Sequence, residues 1–224
     1  MTTPAATSKD RISGWKRSEP VLVLYATREG HSRRVAQRIS GALDTRGVPT
    51  LVEDLSAHPD RVDPKRFAAV VLVGSVHFGR HAQALGAYVT SNRAALGAVP
   101  TVFVSISMSE AIAHYTEATR EQRVAARARA HQAVDAFCAE TRFRPKHIQL
   151  LGGGLPYTKL GFFTRQLVRL ISARQGGPTD TSRDHDLTAW SVIDSIADQV
   201  ARATGALPFT PGDTVLAASA LEAR

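Results

Sequence analysis

The sequence predicts a doubly wound α/β domain, a parallel sheet with helices on both faces. Three observations carry this. Short runs that are apolar throughout, such as residues 21–26 and 70–73, are what strands look like when both of their faces are covered. Stretches with helical spacing separate these runs along most of the chain. Glycine-bearing turns follow the first and last of the runs, at residues 27–31 and 152–154.

In order, residues 21–26 form the first strand. Residues 32–46 space Val35, Ile39 and Leu43 as a helix does, and Gly47 ends it. Residues 50–54 are a second strand and 67–74 a third, with Val70, Val71, Leu72 and Val73 at its centre. The two prolines between residues 55 and 66 leave room for only a short helix. Residues 85–96 are a helix, 101–107 a fourth strand introduced by Pro100, and 119–141 a long Ala/Arg-rich helix. The fifth strand, 147–151, closes on Gly152, Gly153 and Gly154, and helices follow at 159–174 and 187–204. No internal repeat or second core is visible. The folded domain is expected over 21–206, between a disordered leader (1–20) and a loosely ordered tail (207–224).

The 43% hydrophobic and 21% charged residues are a globular balance, and 224 residues suffice for one domain with additions. A net charge of +8 suits an anionic partner: nucleic acid, an anionic membrane surface or an acidic small molecule. Zinc-finger spacing and an interleaved aromatic–basic platform are both missing, so nucleic acid is not expected. Cys138 is the only cysteine, which rules out an intramolecular disulfide and fits a reducing, cytoplasmic compartment. No run of 18 or more apolar residues could cross a membrane, and the polar residues 1–20 are not a secretory signal. No metal site or catalytic triad is visible.

Ligands of doubly wound sheets bind beyond the carboxyl ends of the strands, where the strand order reverses. The first such end reads Thr27, Arg28, Glu29, Gly30, His31, Ser32. Hydroxyls flank a glycine at the mouth of a helix, whose unpaired N–H groups suit a phosphate. The alternative is an ordinary turn with Ser32 as N-cap. One glycine is too few for the dinucleotide fingerprint, and Gly-Lys-Ser/Thr of the P-loop is missing. After the third strand come Ser75, Val76, His77, Phe78 and Gly79. After the fourth, Ser105 and Ser107 can present hydroxyls, and Met108, Glu110, His114 and Tyr115 follow on a loop.

The first loop resembles the phosphate loop of flavodoxins, and its Thr27-Arg28-Glu29-Gly30 core is similar to that of the menaquinone-dependent protoporphyrinogen oxidase family. Ala26 stands where that family usually has a hydroxyl, and Ser32 replaces a threonine. The loop Gly74–His81 and the segment Gly176-Gly177-Pro178-Thr179-Asp180-Thr181, with Trp190 after it, follow the family's order and spacing. The resemblance covers about residues 21–203. It implies a flavodoxin-like five-stranded sheet of order 2-1-3-4-5 with a helical extension after the fifth strand. It also implies bound FMN held by Thr27, Arg28, Glu29, Gly30, His31, Ser32, Ser75, Val76, His77, Phe78, Gly79 and Ser107. Phe78 would lie against the flavin ring; otherwise it is a hydrophobic plug at a strand end.

The implied activity is oxidation of protoporphyrinogen IX to protoporphyrin IX with a quinone as acceptor, a step of heme biosynthesis. An electron-carrier flavodoxin is a second expectation, disfavoured by the +8 charge because such carriers are usually acidic. An NAD(P)H–quinone oxidoreductase of the same fold is a third. Residues 141–179 contain no Asp or Glu and seven Arg or Lys, among them Lys159, Arg165, Arg169 and Arg174. Phe162, Phe163, Leu167, Leu170 and Ile171 share one helical face. That helix either docks on the domain or lies on an anionic membrane surface. It is expected at a different strand end from the phosphate loop. Arg123 and Arg127, four apart on the long helix, can meet substrate carboxylates or simply face solvent.

Overall fold

The computed structural model describes residues 19–27, 30–57 and 62–207. The expected leader and tail fall almost wholly outside the described residues, as do Arg28 and Glu29.

Five parallel strands make the sheet: β1 (Val21–Ala26), β2 (Thr50–Asp54), β3 (Ala69–His77), β5 (Thr101–Ser107) and β6 (His147–Gly152). A two-residue strand, β4 (Arg80–His81), folds back antiparallel on β3. The order β2-β1-β3-β5-β6 is the expected 2-1-3-4-5 with β4 inserted in the count. Side chains alternate between two faces along each strand. Val21, Val23 and Tyr25 join Val71, Val73, Val102 and Val104 in one core. Leu22, Leu24 and Ala26 join Leu72 and Phe103 in the other. Both faces are buried, which is why these strands are apolar at every position rather than every second one.

Helices α1 (His31–Asp44) and α7 (Ser191–Ala203) close the first core with Val35, Ile39, Leu43, Ile193, Ile196 and Val200. Helices α2 (Gln83–Ser91), α3 (Arg93–Ala98) and α5 (Arg120–Thr141) close the second with Leu85, Tyr88, Leu96, Val134 and Phe137. Each large apolar side chain buried this way contributes about 1.5–3 kcal/mol. Helix α5 starts on a capping box: the Gln122 N–H donates to Thr119 Oγ1, and Gln122 Oε1 accepts from the Thr119 N–H.

The expected helix over 85–96 is divided at Asn92, whose side-chain amide donates to the Tyr88 carbonyl and closes α2. The segment 108–113, read as loop, is a helix, α4 (Met108–Ala113), because the Ser107 hydroxyl caps it by accepting from the Glu110 N–H. Beyond β6 the chain forms β7 (Gly154–Leu155), α6 (Phe162–Gln175) and β8 (His185–Asp186), and β8 pairs antiparallel with β7. This pairing delays α7 to Ser191, four residues later than expected.

Candidate functional site

Strand order reverses around β1, which lies between β2 and β3, and the first loop leaves its carboxyl end. Gly30 is the N-cap of α1 with φ +83°, a left-handed conformation that side chains with a Cβ rarely adopt. Its N–H donates to Thr27 Oγ1 at 2.8 Å, which folds the turn. Among the described residues no side chain caps α1, so the helix mouth keeps N–H groups for an anion. The capping alternative for Ser32 does not hold. Ser32 is fully buried and its hydroxyl lies 2.5 Å from that of Ser75, tying the first loop to the second.

The second loop is the turn of the β3–β4 hairpin. Phe78 and Gly79 are its two central residues, at φ 51° and 78°. Two positive values are what a tight hairpin of this twist requires, and for Phe78 they cost about 1–2 kcal/mol. Phe78 is 90% exposed, so it plugs nothing. The hairpin holds an aromatic ring out over the carboxyl end of the sheet at the cost of backbone strain.

On the third side, Ser107 lines the site while its hydroxyl caps α4. Ser105 points inward to His81 Nε2 at 2.9 Å. Burial, and then His77, pull the pKa of His81 down to about 4. His114 bonds Glu110 Oε1 at 3.0 Å, with Arg127 Nη2 at 3.1 Å, away from the site.

Thr27, His31, Ser75, Val76, His77, Phe78, Gly79 and Ser107 converge on one cleft of about 580 Å³, within the usual range for cofactor and substrate sites. Gly30 joins His31 in an adjoining cleft of about 400 Å³. The far wall of the larger cleft is α6, through Thr164, Val168, Ile171 and Gln175. This corrects the expectation that α6 stands apart from the phosphate loop: both border the same space. Ser172 is the single buried residue of α6, so the helix does not dock as core. Phe162, Phe163, Leu167 and Leu170 are between 51% and 87% exposed.

The segment after α6 was legible only as a motif, without a place. Leu187 O passes so close to Gly152 that a Cβ there would sit 2.6 Å from it. Asp186 lies 3.5 Å from Arg34, whose guanidinium stands over the Trp190 ring. Thr188 Oγ1 reaches His31 Nε2 at 3.1 Å. Burial lowers the pKa of His31, Arg34 lowers it further, and Asp186 partly opposes both. Arg129 and Gln132 on α5 also line the large cleft; nothing in the sequence marks them out, because one arginine in an Arg-rich helix looks like the next.

The site can therefore hold an anionic group at the mouth of α1, a flat ring beside Phe78, and a second apolar body between α5 and α6. A family profile described as a flavodoxin domain matches residues 22–182. Protoporphyrinogen IX dehydrogenase [quinone] of Escherichia coli K12 is 25% identical over 186 residues, 82% of this chain and 95% of that protein. The protein of the same name from Leishmania major is 26% identical over 195 residues, 87% of this chain and 80% of that one. Among solved structures, flavodoxin 1 of Bacillus cereus aligns with a TM-score of 0.43 at 10% identity, covering 84% of this chain and 99% of that one.

Proposed function

From the premise that this chain belongs to the flavodoxin domain family, we propose that it oxidises protoporphyrinogen IX to protoporphyrin IX and passes the electrons to a quinone at an anionic membrane surface. The family implies FMN as cofactor, and the site fits it. An uncapped helix N-terminus behind a left-handed glycine suits the phosphate, and an exposed aromatic on a strained hairpin suits the ring. Thr27, Gly30, His31, Ser75, Val76, His77, Phe78, Gly79 and Ser107 are the residues proposed to hold it, with Ser32 bracing the two loops; Arg28 and Glu29 lie outside the described residues.

One observation carries the choice of substrate. The cleft does not stop at the flavin loops but runs on beneath α6, between walls where Val168, Ile171, Ala133 and Leu155 are apolar. A carrier that only relays electrons has no use for this extension. A large apolar macrocycle, and then a quinone, fill it by removing apolar surface from water. The relatives named above act on a molecule of this kind.

When bound, FMN supplies the acceptor for the electrons taken from substrate. The chain's own residues hold and shield. Backbone N–H groups at the start of α1 would hold the phosphate, the Phe78–Gly79 turn would border the ring, and α6, as the far wall of the cleft, would limit access of water. Of the two imidazoles on the cleft wall, His31 is engaged at both ring nitrogens, by Arg34 and Thr188, which leaves His77 as the imidazole placed to accept a pyrrole proton. The exposed face of α6, with its neighbouring arginines, brings the cleft mouth to lipid, where both the porphyrinogen and a quinone dissolve.

The test is porphyrin fluorescence under anaerobic conditions, with and without menadione. Quinone-dependent porphyrin formation is expected. Rapid NADH-driven quinone reduction with no porphyrin formed would instead identify a nicotinamide-fed quinone reductase.

A further inference from the structure

Among the described residues, Arg129 is the only Arg or Lys on the large cleft wall, and none of the described Asp or Glu residues lines it. Its Nε is buried and has no hydrogen-bond partner among the described residues. The other arginines of α5 near the site are committed elsewhere. Arg123 donates to the Ala118 carbonyl, and Arg127 lies against His114. These two, the pair that the sequence singles out for substrate carboxylates, do not line the cleft.

Position separates Arg129 from the cofactor phosphate. Helix α1, whose mouth suits the phosphate, packs on the sheet face that carries Val21, Val23 and Val71. Helix α5 packs on the opposite face, with Leu22, Leu24 and Leu72. The cleft crosses the carboxyl edge of the sheet between them, so an anion at Arg129 is a second anion. A guanidinium offers donors in a planar fork that fits a carboxylate in two parallel bonds, and apolar surroundings strengthen the pairing. Gln132, three residues on and also on the wall, adds a side-chain amide.

We infer that Arg129 is the carboxylate-binding residue of this cleft, pairing with a propionate of the tetrapyrrole substrate and so fixing which edge of the macrocycle meets the cofactor. This rests on the function proposed above. The apolar wall supplies grip without direction, and one charge-assisted contact at one end supplies the direction.

The experiment uses the full chain loaded with FMN, as wild type, Arg129→Met and Arg129→Lys. Methionine keeps much of the side-chain bulk and removes the charge; lysine restores the charge without the fork. Binding of protoporphyrin IX and of its dimethyl ester is measured by fluorescence titration. Wild type is expected to bind the diacid at least about tenfold tighter than the diester. Arg129→Met should bind both as wild type binds the diester, Arg129→Lys should recover part of the difference, and FMN content should stay the same in all three.

Equal binding of acid and ester by wild type, or an unchanged ratio in Arg129→Met, overturns the inference. Loss of FMN from Arg129→Met also overturns it, because the arginine then serves the cofactor. Anaerobic porphyrin formation by wild type, run in parallel with diacid and diester porphyrinogens, separates the two claims. Turnover whose acid preference survives in Arg129→Met sinks the carboxylate role and leaves the oxidase. An acid preference in binding that depends on Arg129, with no turnover, does the reverse. If wild type binds neither porphyrin, both fall.

Discussion

Thr188 Oγ1 lies 3.1 Å from His31 Nε2, joining the segment after α6 to the first residue of α1 across 157 positions of sequence. Arg34 Nη2 lies 2.8 Å from the other ring nitrogen of His31, Nδ1. A guanidinium only donates, so Nδ1 accepts and Nε2 carries the proton that Thr188 receives. Thr188→Val keeps the shape and removes the acceptor. Stability should fall by about 1 kcal/mol and FMN affinity by a few fold, read by urea denaturation and flavin fluorescence. If neither changes, the clip has no part in holding the phosphate loop.

His81 makes stability depend on pH. Its folded pKa of about 4 lies below the ordinary 6.5, so the unfolded chain takes up the proton first as pH falls. The stability linked to neutral His81 is complete above pH 6.5 and is lost progressively down to about pH 4. The loss is on the order of 3 kcal/mol. The lowered pKa of His31 acts in the same direction. The His81 ring already packs, tilted, against Phe103 and Phe137, with ring centroids 5.1 and 4.9 Å away, so His81→Phe should fit and flatten the urea midpoint between pH 7 and 4.5. A variant as acid-sensitive as wild type would assign the loss to other groups.

Gly30→Val should abolish FMN retention. Space among the described residues is not the obstacle, since none of them lies within 4 Å of a Cβ built there. The obstacle is φ +83°, which a β-branched residue takes only with strain, together with a side chain at the place where phosphate meets backbone. Absorbance near 450 nm after purification, about where oxidised flavin absorbs, measures the outcome. A variant that retains FMN would move the phosphate elsewhere.

The sheet was legible because its physics is local and repetitive. Val21–Ala26 can be apolar at every position only in a strand buried on both sides, and one such run after another dictates the fold class. Helix α4 was missed because six residues are too few to show a period, although Ser107 three residues before Glu110 was its capping signal. The place of α6 was illegible for a different reason. Its sequence shows an apolar face, but whether that face is buried depends on contacts that periodicity does not encode. Phe78 could be read as a ring-facing residue only by resemblance, because nothing in the letters marks a hairpin with positive φ at a phenylalanine.

Phe78→Asn separates stability from function. Asparagine tolerates the left-handed region far better than phenylalanine. The variant without flavin should be more stable than wild type by about 0.5–1 kcal/mol, on the scale of strain at such positions. FMN should bind more weakly, because the exposed ring is gone. A thermal melt of the apoprotein and a flavin titration give the two signs. If stability rises and flavin affinity does not fall, Phe78 has no contact with the cofactor.

Lipid binding is the last expectation, and the packing of α6 decides how to test it. Arg165 is a poor target: its Nη2 donates to the Leu160 carbonyl at 2.9 Å and its Nε is buried, so a change there disturbs the start of the helix. Phe163 and Leu167 are 87% and 52% exposed and do not line the cleft. Changing both to serine removes apolar contact with a bilayer and leaves the cleft wall of Val168 and Ile171 in place. Arg169→Glu with Arg174→Glu reverses charge on the same helix, and each basic residue near an anionic surface contributes about 1 kcal/mol, less at high salt. Cosedimentation with vesicles containing phosphatidylserine should weaken at least about tenfold in either double variant, with FMN content unchanged. The charge-reversed form should lose most of the salt dependence, and the serine form should keep it. Wild type that stays in the supernatant at low salt would mean that some other partner covers this face.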